Sequence, residues 1–169
     1  SVTWRAERLA SMTLTSGSTG LPKAAVHTCA AHLASAKGVL ALMPYGDSDD
    51  WLLSLPLFHV SGQGILWRWL QGGGRLTVRE KQPLEQALQG CTHASLVPTQ
   101  LWRLLNSHHP VALKAVLLGG AEIPEEGQSV SGVYRAVQDP AVSGGSQSAF
   151  SFCAFGYGGI PSAERLEIG

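Results

Sequence analysis

Thr15-Ser16-Gly17-Ser18-Thr19-Gly20-Leu21-Pro22-Lys23 packs four hydroxyls, two glycines and a lysine into nine positions. Short apolar, β-rich runs flank it, Met12 to Thr15 before and Ala24 to His27 after, so the segment links two strands. Glycine lets backbone N–H groups approach an oxyanion closely, hydroxyls donate to its oxygens, and lysine adds a mobile point charge. The residue types therefore suit phosphate. The wording is not that of a Walker A loop, which needs Gly-Lys followed at once by Ser or Thr at a helix start. Here Lys23 follows Pro22 and precedes the apolar run Ala24-Ala25-Val26. A plain solvent-facing Ser/Gly loop is the alternative reading of the composition alone.

Outward from this segment, short β-rich runs alternate with longer helical stretches, the pattern of an α/β layer architecture whose strands run mostly parallel in a sheet flanked by helices. The expected strands are Met12 to Thr15, Ala24 to His27, Trp51 to Leu55, Arg75 to Val78, Ala94 to Val97 and Ala115 to Leu118. Several are apolar on both faces and so require cover on both sides. The expected helices are Cys29 to Leu42, Gly62 to Leu70, Leu84 to Gln89 and Thr99 to Asn106, with Pro83 in the first turn of the third. Beyond Pro124 the character changes. Residues 125–169 are rich in Gly, Ser and Ala and weakly periodic, and Ser143 to Ser148 (SGGSQS) has a linker's composition. Two parts are expected: a core over 1–124, and a divergent tail over 125–169 that is poorly ordered or the product of a shifted reading frame.

Composition narrows the function. The chain has 169 residues, 44% hydrophobic and 14% charged, enough for one domain with a real core. Twelve basic residues balance twelve acidic ones, so no global field gathers nucleic acid or an anionic membrane. No apolar run reaches the roughly 20 residues needed to span a bilayer, and the N-terminus does not read as a signal peptide. A cytoplasmic protein is expected. Cys29, Cys91 and Cys153 lie far apart without the close pairs of metal or redox motifs, so reduced thiols and no metal site are expected.

Three further blocks follow the first. Leu55-Pro56-Leu57-Phe58-His59-Val60-Ser61-Gly62 puts a histidine at a strand end, where its ring can donate to a carboxylate, turn as a gate, or simply cap a loop. Ser95-Leu96-Val97-Pro98-Thr99-Gln100-Leu101 reads as strand into helix, with Thr99 an N-cap first and a ligand contact second. Ala115 to Pro124 (AVLLGGAEIP) is a buried strand followed by Gly119 and Gly120, which allow close backbone approach or merely end the strand. Arg68 or Arg103 can pair with a carboxylate, although a solvent-facing helical arginine is the commoner identity of each.

In their order and spacing these blocks resemble the signatures of the adenylate-forming superfamily, which comprises acyl-CoA synthetases, luciferases and peptide-synthetase adenylation domains. Within it, the run from Met12 to Pro124, with His27, Trp51, Gln63-Gly64 and Trp67-Arg68-Trp69, is similar to the o-succinylbenzoate:CoA ligases of menaquinone biosynthesis. The resemblance implies that 1–124 is part of the large N-terminal, AMP-binding domain. It implies that Thr15, Ser16, Gly17, Ser18, Thr19, Gly20 and Lys23 close over the β- and γ-phosphates of ATP, with Lys23 and His59 in catalytic roles. It implies that His59, Ser61, Thr99, Gly119, Gly120 and Ala121 border the acyl and adenine groups. The implied partners are a small-molecule carboxylic acid, ATP with Mg²⁺, and CoA as co-substrate.

The resemblance also implies parts that do not read out here: a Tyr-Gly-Thr-Glu block, a ribose-binding Asp and a C-terminal-domain lysine. Phe155 to Gly159 (FGYGG) approaches the first, yet Ile160, Pro161 and Ser162 stand where Thr-Glu is required. The expectation is a fragment with little turnover alone, whose exposed sheet edges and apolar patches favour self-association. The alternatives are a non-catalytic remnant that binds nucleotide or a partner, and a ligase for another aryl or fatty acid.

Overall fold

A computed structural model describes residues 3–15, 20–21, 23–107 and 113–119, together with the strand backbones at 123–125, 128–130, 133–138 and 150–155. Strands β1 (Leu9–Thr15) and β2 (Lys23–Thr28) open the chain. They pair antiparallel with Thr15 opposite Lys23 and Met12 opposite Val26, forming a two-stranded sheet of their own. Both had been expected among parallel strands. Only seven residues, 16–22, separate Thr15 from Lys23, and a parallel pair needs a crossover of a dozen or more.

Helix α1 (Cys29–Leu42) follows at once. Thr28 caps it by accepting the Ala31 N–H at 3.1 Å. Its buried residues Cys29, His32 and Ala36 recur at helical spacing and define the inward face. Next come β3 (Asp50–Leu52), α2 (Val60–Gly72), β4 (Arg75–Thr77), α3 (Leu84–Ala87), β5 (His93–Leu96), α4 (Pro98–Asn106) and β6 (Ala115–Leu118). Each element lies where expected, with ends shifted by a few residues. Pro83 is the N-cap of α3 rather than its first-turn residue. Val97 caps α4, with its N–H bonded to Gln100 Oε1 at 2.9 Å. Thr99, expected as that cap, is an exposed residue inside the helix, because Pro98 already takes the first helical position.

β4, β3, β5 and β6 are mutually parallel in that spatial order. Side chains divide by parity along each strand. Trp51, Ala115 and Leu117 pack with Met43, Tyr45 and Ile65 on the face covered by α2. Leu52, Ala94, Leu96, Val116 and Leu118 pack with Leu88, Leu101 and Leu104 of the α3 and α4 region on the other. Cover on both faces explains why β5 and β6 are buried at every position.

Segment 125–169 was read as a tail without an assigned fold. There β7 (Ile123–Glu125) pairs with β8 (Gln128–Val130), while β9 (Val133–Gln138) adds antiparallel to β6 and β10 (Phe150–Phe155) to β9. The six-stranded sheet is therefore mixed, with a parallel core of four strands.

Candidate active site

In the parallel core the chain steps from β3 out to β4, then returns past β3 to β5 and on to β6. The direction of winding thus reverses between β3 and β5, and in open α/β sheets ligands bind outside the carboxyl ends of the strands at such a reversal. The residues that follow these strand ends are Leu53 to His59 after β3, Val97 to Thr99 after β5, and Gly119 after β6. Three of the expected blocks therefore converge on one edge.

A polar cluster sits inside that reversal. Ser95 of β5 is 2% exposed. Its Oγ accepts the Trp51 indole N–H at 3.2 Å and the Arg68 Nη2–H at 3.2 Å. The hydroxyl of Ser54, just beyond β3, donates to the Ser95 carbonyl. Arg68 reaches in from α2 with its guanidinium carbon 4.8 Å from the centroid of the Trp51 ring. It had been expected to face solvent, yet it is 5% exposed. Ile65 and Arg68 share the inward face of α2, so the arginine projects where an apolar residue would ordinarily stand. Arg103 does face solvent.

Arg68 is a buried cation held by Ser95 and the Trp51 ring rather than by an acid. Among the described residues no carboxylate pairs with it, and its Nε–H has no partner. Burial lowers its pKa from 12.5 to about 10, which still leaves it charged at neutral pH. A buried charge is costly unless paired, so an arginine held this way is suited to accept an anion from outside the fold. Sequence reading named Ser95 only as the start of a strand-into-helix block and gave it no role, although a serine inside the fully buried strand HASL is a usable signal, because a buried hydroxyl must find partners.

The loop after β3 is pressed onto α2 at Gly62. A Cβ there would stand 2.2 Å from the Pro56 carbonyl oxygen and 2.6 Å from that of Leu55, so only glycine fits. Gln63 donates through Nε2 to the Leu57 carbonyl at 3.0 Å and ties the same loop to the helix. His59 lies at the N-cap position of α2, exposed and making no side-chain cap bond, with its ring 4.6 Å from that of Phe58. Ser61 is exposed in the first turn. Gly119 closes β6 with its N–H donated to the Leu96 carbonyl at 3.2 Å. Gly120 and Ala121 lie outside the described residues.

The hydroxyl-rich segment lies in sequence between the paired strands β1 and β2. Thr15 and Lys23 face each other across its base, and Gly20 takes φ +133°, a conformation open to glycine but rarely to other residues. Ser16, Gly17, Ser18 and Thr19 lie outside the described residues. The hairpin joins the rest through its inner face: Ser11 Oγ is 2.8 Å from His32 Nε2, and His32 stacks on Trp67. Trp67 and Arg68 are consecutive, so one helix turn carries both the hairpin contact and the buried cation.

Residues 1–138 match the model of the family described as AMP-binding enzyme, and the chain belongs to that family. Its relatives narrow the comparison. The chain is 78% identical over 125 residues to the 2-succinylbenzoate--CoA ligase of Salmonella typhimurium, covering 74% of this chain and 28% of that protein. Among solved structures it resembles an arginine-to-lysine variant of Escherichia coli MenE with bound OSB-AMS. That match has a TM-score of 0.70 at 76% identity, and covers 73% of this chain and 28% of the other. It also resembles the o-succinylbenzoate coenzyme A synthetase (MenE) of Bacillus subtilis in complex with ATP and magnesium ion. There the TM-score is 0.64 at 30% identity, covering 71% of this chain and 27% of the other. The chain thus spans 28% of the length of the Salmonella relative. Among the described residues, no helix is long and apolar enough to cross a membrane.

Proposed function

We propose that this chain supplies the phosphate-binding hairpin and the acid-binding wall of an AMP-forming 2-succinylbenzoate:CoA ligase, acting in the cytoplasm in menaquinone biosynthesis. The observation that carries the reading is Arg68, a buried guanidinium without a carboxylate partner among the described residues, at the sheet's winding reversal. An aromatic diacid offers one carboxylate for activation and a second as the missing counterion, and the arginine takes the second.

The reaction joins the acid to ATP as acyl-AMP with release of pyrophosphate, and the thiolate of CoA then displaces AMP. Lys23 and the hydroxyls of Thr15, Ser16, Ser18 and Thr19, with the backbone at Gly17 and Gly20, take the β- and γ-phosphate oxygens. They stabilise the charge that builds on the departing pyrophosphate. Mg²⁺ arrives with ATP and neutralises its phosphates. His59, Ser61, Thr99, Gly119, Gly120 and Ala121 border the acyl and adenine groups from the three strand ends. Residues 1–124 form the catalytic-core portion, and 125–169 diverge in sequence while β9 still pairs with β6 of the core sheet.

Alone, the chain turns over little. The hairpin's outer face exposes Met12 (65%), Leu14 (76%) and Val26 (46%), which favours self-association. The test is acyl-adenylate formation by mass spectrometry with purified chain, Mg·ATP and o-succinylbenzoate, using Lys23→Ala and Arg68→Ala as controls. Binding of ATP and the diacid, each lost in its own variant and without acyl-adenylate, supports the reading; acyl-adenylate made by the wild type and lost in the variants supports the site but overturns the low turnover. Unchanged binding in both variants overturns it.

A further inference from the structure

Among the described residues Arg68 has no acid partner, so other groups hold its guanidinium where a ligand can use it. Three features do so. The Trp51 ring lies 4.8 Å from the guanidinium carbon, close enough for the cation to be drawn to the negative face of the indole. That ring is itself held on several sides: it is fully buried, its centroid lies 5.3 Å from Tyr45 edge-on and 5.2 Å from His93, and its N–H is tied to Ser95. Ser95 Oγ accepts from Trp51 and Arg68 together, which uses both its lone pairs. Gly64, one turn before Arg68, leaves space for the guanidinium, since a Cβ there would lie 3.0 Å from Nη1.

We propose that Trp51 is the positioning residue of the anion site. Its indole face and the serine it shares with Arg68 fix the guanidinium in place of an acidic partner, which keeps the cation available to the ligand's carboxylate. An Asp or Glu here would hold the arginine equally well but would neutralise it. The aromatic face stabilises the charge without competing for its N–H donors, and Nε–H stays free among the described residues. This assignment deepens the proposed function and rests on its reading of Arg68 as the carboxylate anchor.

The test uses the chain of 169 residues, with the Arg68 Nε–H cross-peak in ¹⁵N NMR as the readout. In the wild type that proton is displaced by the indole ring current and exchanges slowly. Trp51→Leu returns it to the ordinary arginine position, Ser95→Ala and Gly64→Ala shift it partway, and Trp51→Phe, which restores a ring face, recovers part of the displacement. Titration with o-succinylbenzoate moves the wild-type peak, and Trp51→Leu weakens that binding by about tenfold while leaving ATP affinity within about twofold. A peak unchanged in Trp51→Leu, Ser95→Ala and Gly64→Ala overturns the positioning role. A wild-type peak that the variants displace but the diacid does not move overturns the carboxylate reading instead.

Discussion

His32 lies flat against Trp67, with ring centroids 4.9 Å apart and planes 6° from parallel. The contact pins the β1–β2 hairpin to the helix that carries Arg68, because His32 also meets Ser11 of β1 at 2.8 Å and His27 of β2 at 5.4 Å between ring centroids. Burial, and then the neighbouring His27, lower the His32 pKa below its ordinary 6.5. Burial likewise lowers that of His93, whose ring is held by Thr92 and the Pro44 carbonyl. Both rings fold neutral, and the unfolded chain binds more protons over the window beneath 6.5. Stability is therefore intact above that pH and falls as the medium is acidified through the folded values. Unfolding midpoints in urea between pH 5 and 8 will show the decline, and His32→Phe, which keeps the stack but not the titration, will reduce it to the part due to His93.

Two glycines should respond in opposite directions. Gly62→Ala forces a Cβ to within 2.2 Å of the Pro56 oxygen, and backbone cannot yield as a side chain can. A loss of about 1–3 kcal/mol is expected, together with displacement of the loop that carries His59. Gly38 lies inside α1 with nothing within 4 Å of its would-be Cβ. Gly38→Ala should stabilise the chain by about 0.5–1 kcal/mol through helix propensity. Thermal melts of the two variants decide both.

Asp49 links the loop before β3 to Lys114, at 2.7 Å, and also accepts the Gly46 N–H at 3.1 Å. Burial alone would raise its pKa, but the bonds from Lys114 and Gly46 outweigh this and hold it below 3.8. Its stabilisation is present above pH 3.8 and lost as pH falls through the folded value. Lys114 is 60% exposed, so solvent screens the pair. Lys114→Met should cost no more than about 1 kcal/mol at neutral pH, with the cost shrinking under acid, as urea titrations at pH 7 and pH 3 will show.

Lys23→Ala should weaken ATP binding by about tenfold without lowering the melting temperature appreciably, because the residue is exposed at the hairpin base. Titration calorimetry on wild type and variant measures this directly. Lys23→Arg should retain part of the affinity.

Much of the parallel core was legible because its signals are local. The helix Cys29 to Leu42 has its own cap and spacing, and β6 is a short apolar run that only a doubly covered strand tolerates. The antiparallel pairing of β1 and β2 was missed by applying the crossover pattern to two strands too close for it. The hairpin's inverted faces, with Thr13 buried and Met12 and Leu14 exposed, could not be seen either, since alternation alone does not say which side meets the helices.

By itself, the order of residues determined the chemistry on offer: hydroxyls, glycines and a lysine for phosphate, a histidine after a strand, glycines at strand ends. Those properties reside in side-chain type and in spacing over a few residues. Only the tertiary structure decided that Arg68 is a buried cation rather than a surface one. It did so by bringing Trp51, Arg68 and Ser95, separated by 27 to 44 positions in the pairs that share the serine, into one cluster between β3 and β5. Solvation is a property of the assembled surroundings, and so is the need of a desolvated charge for a partner.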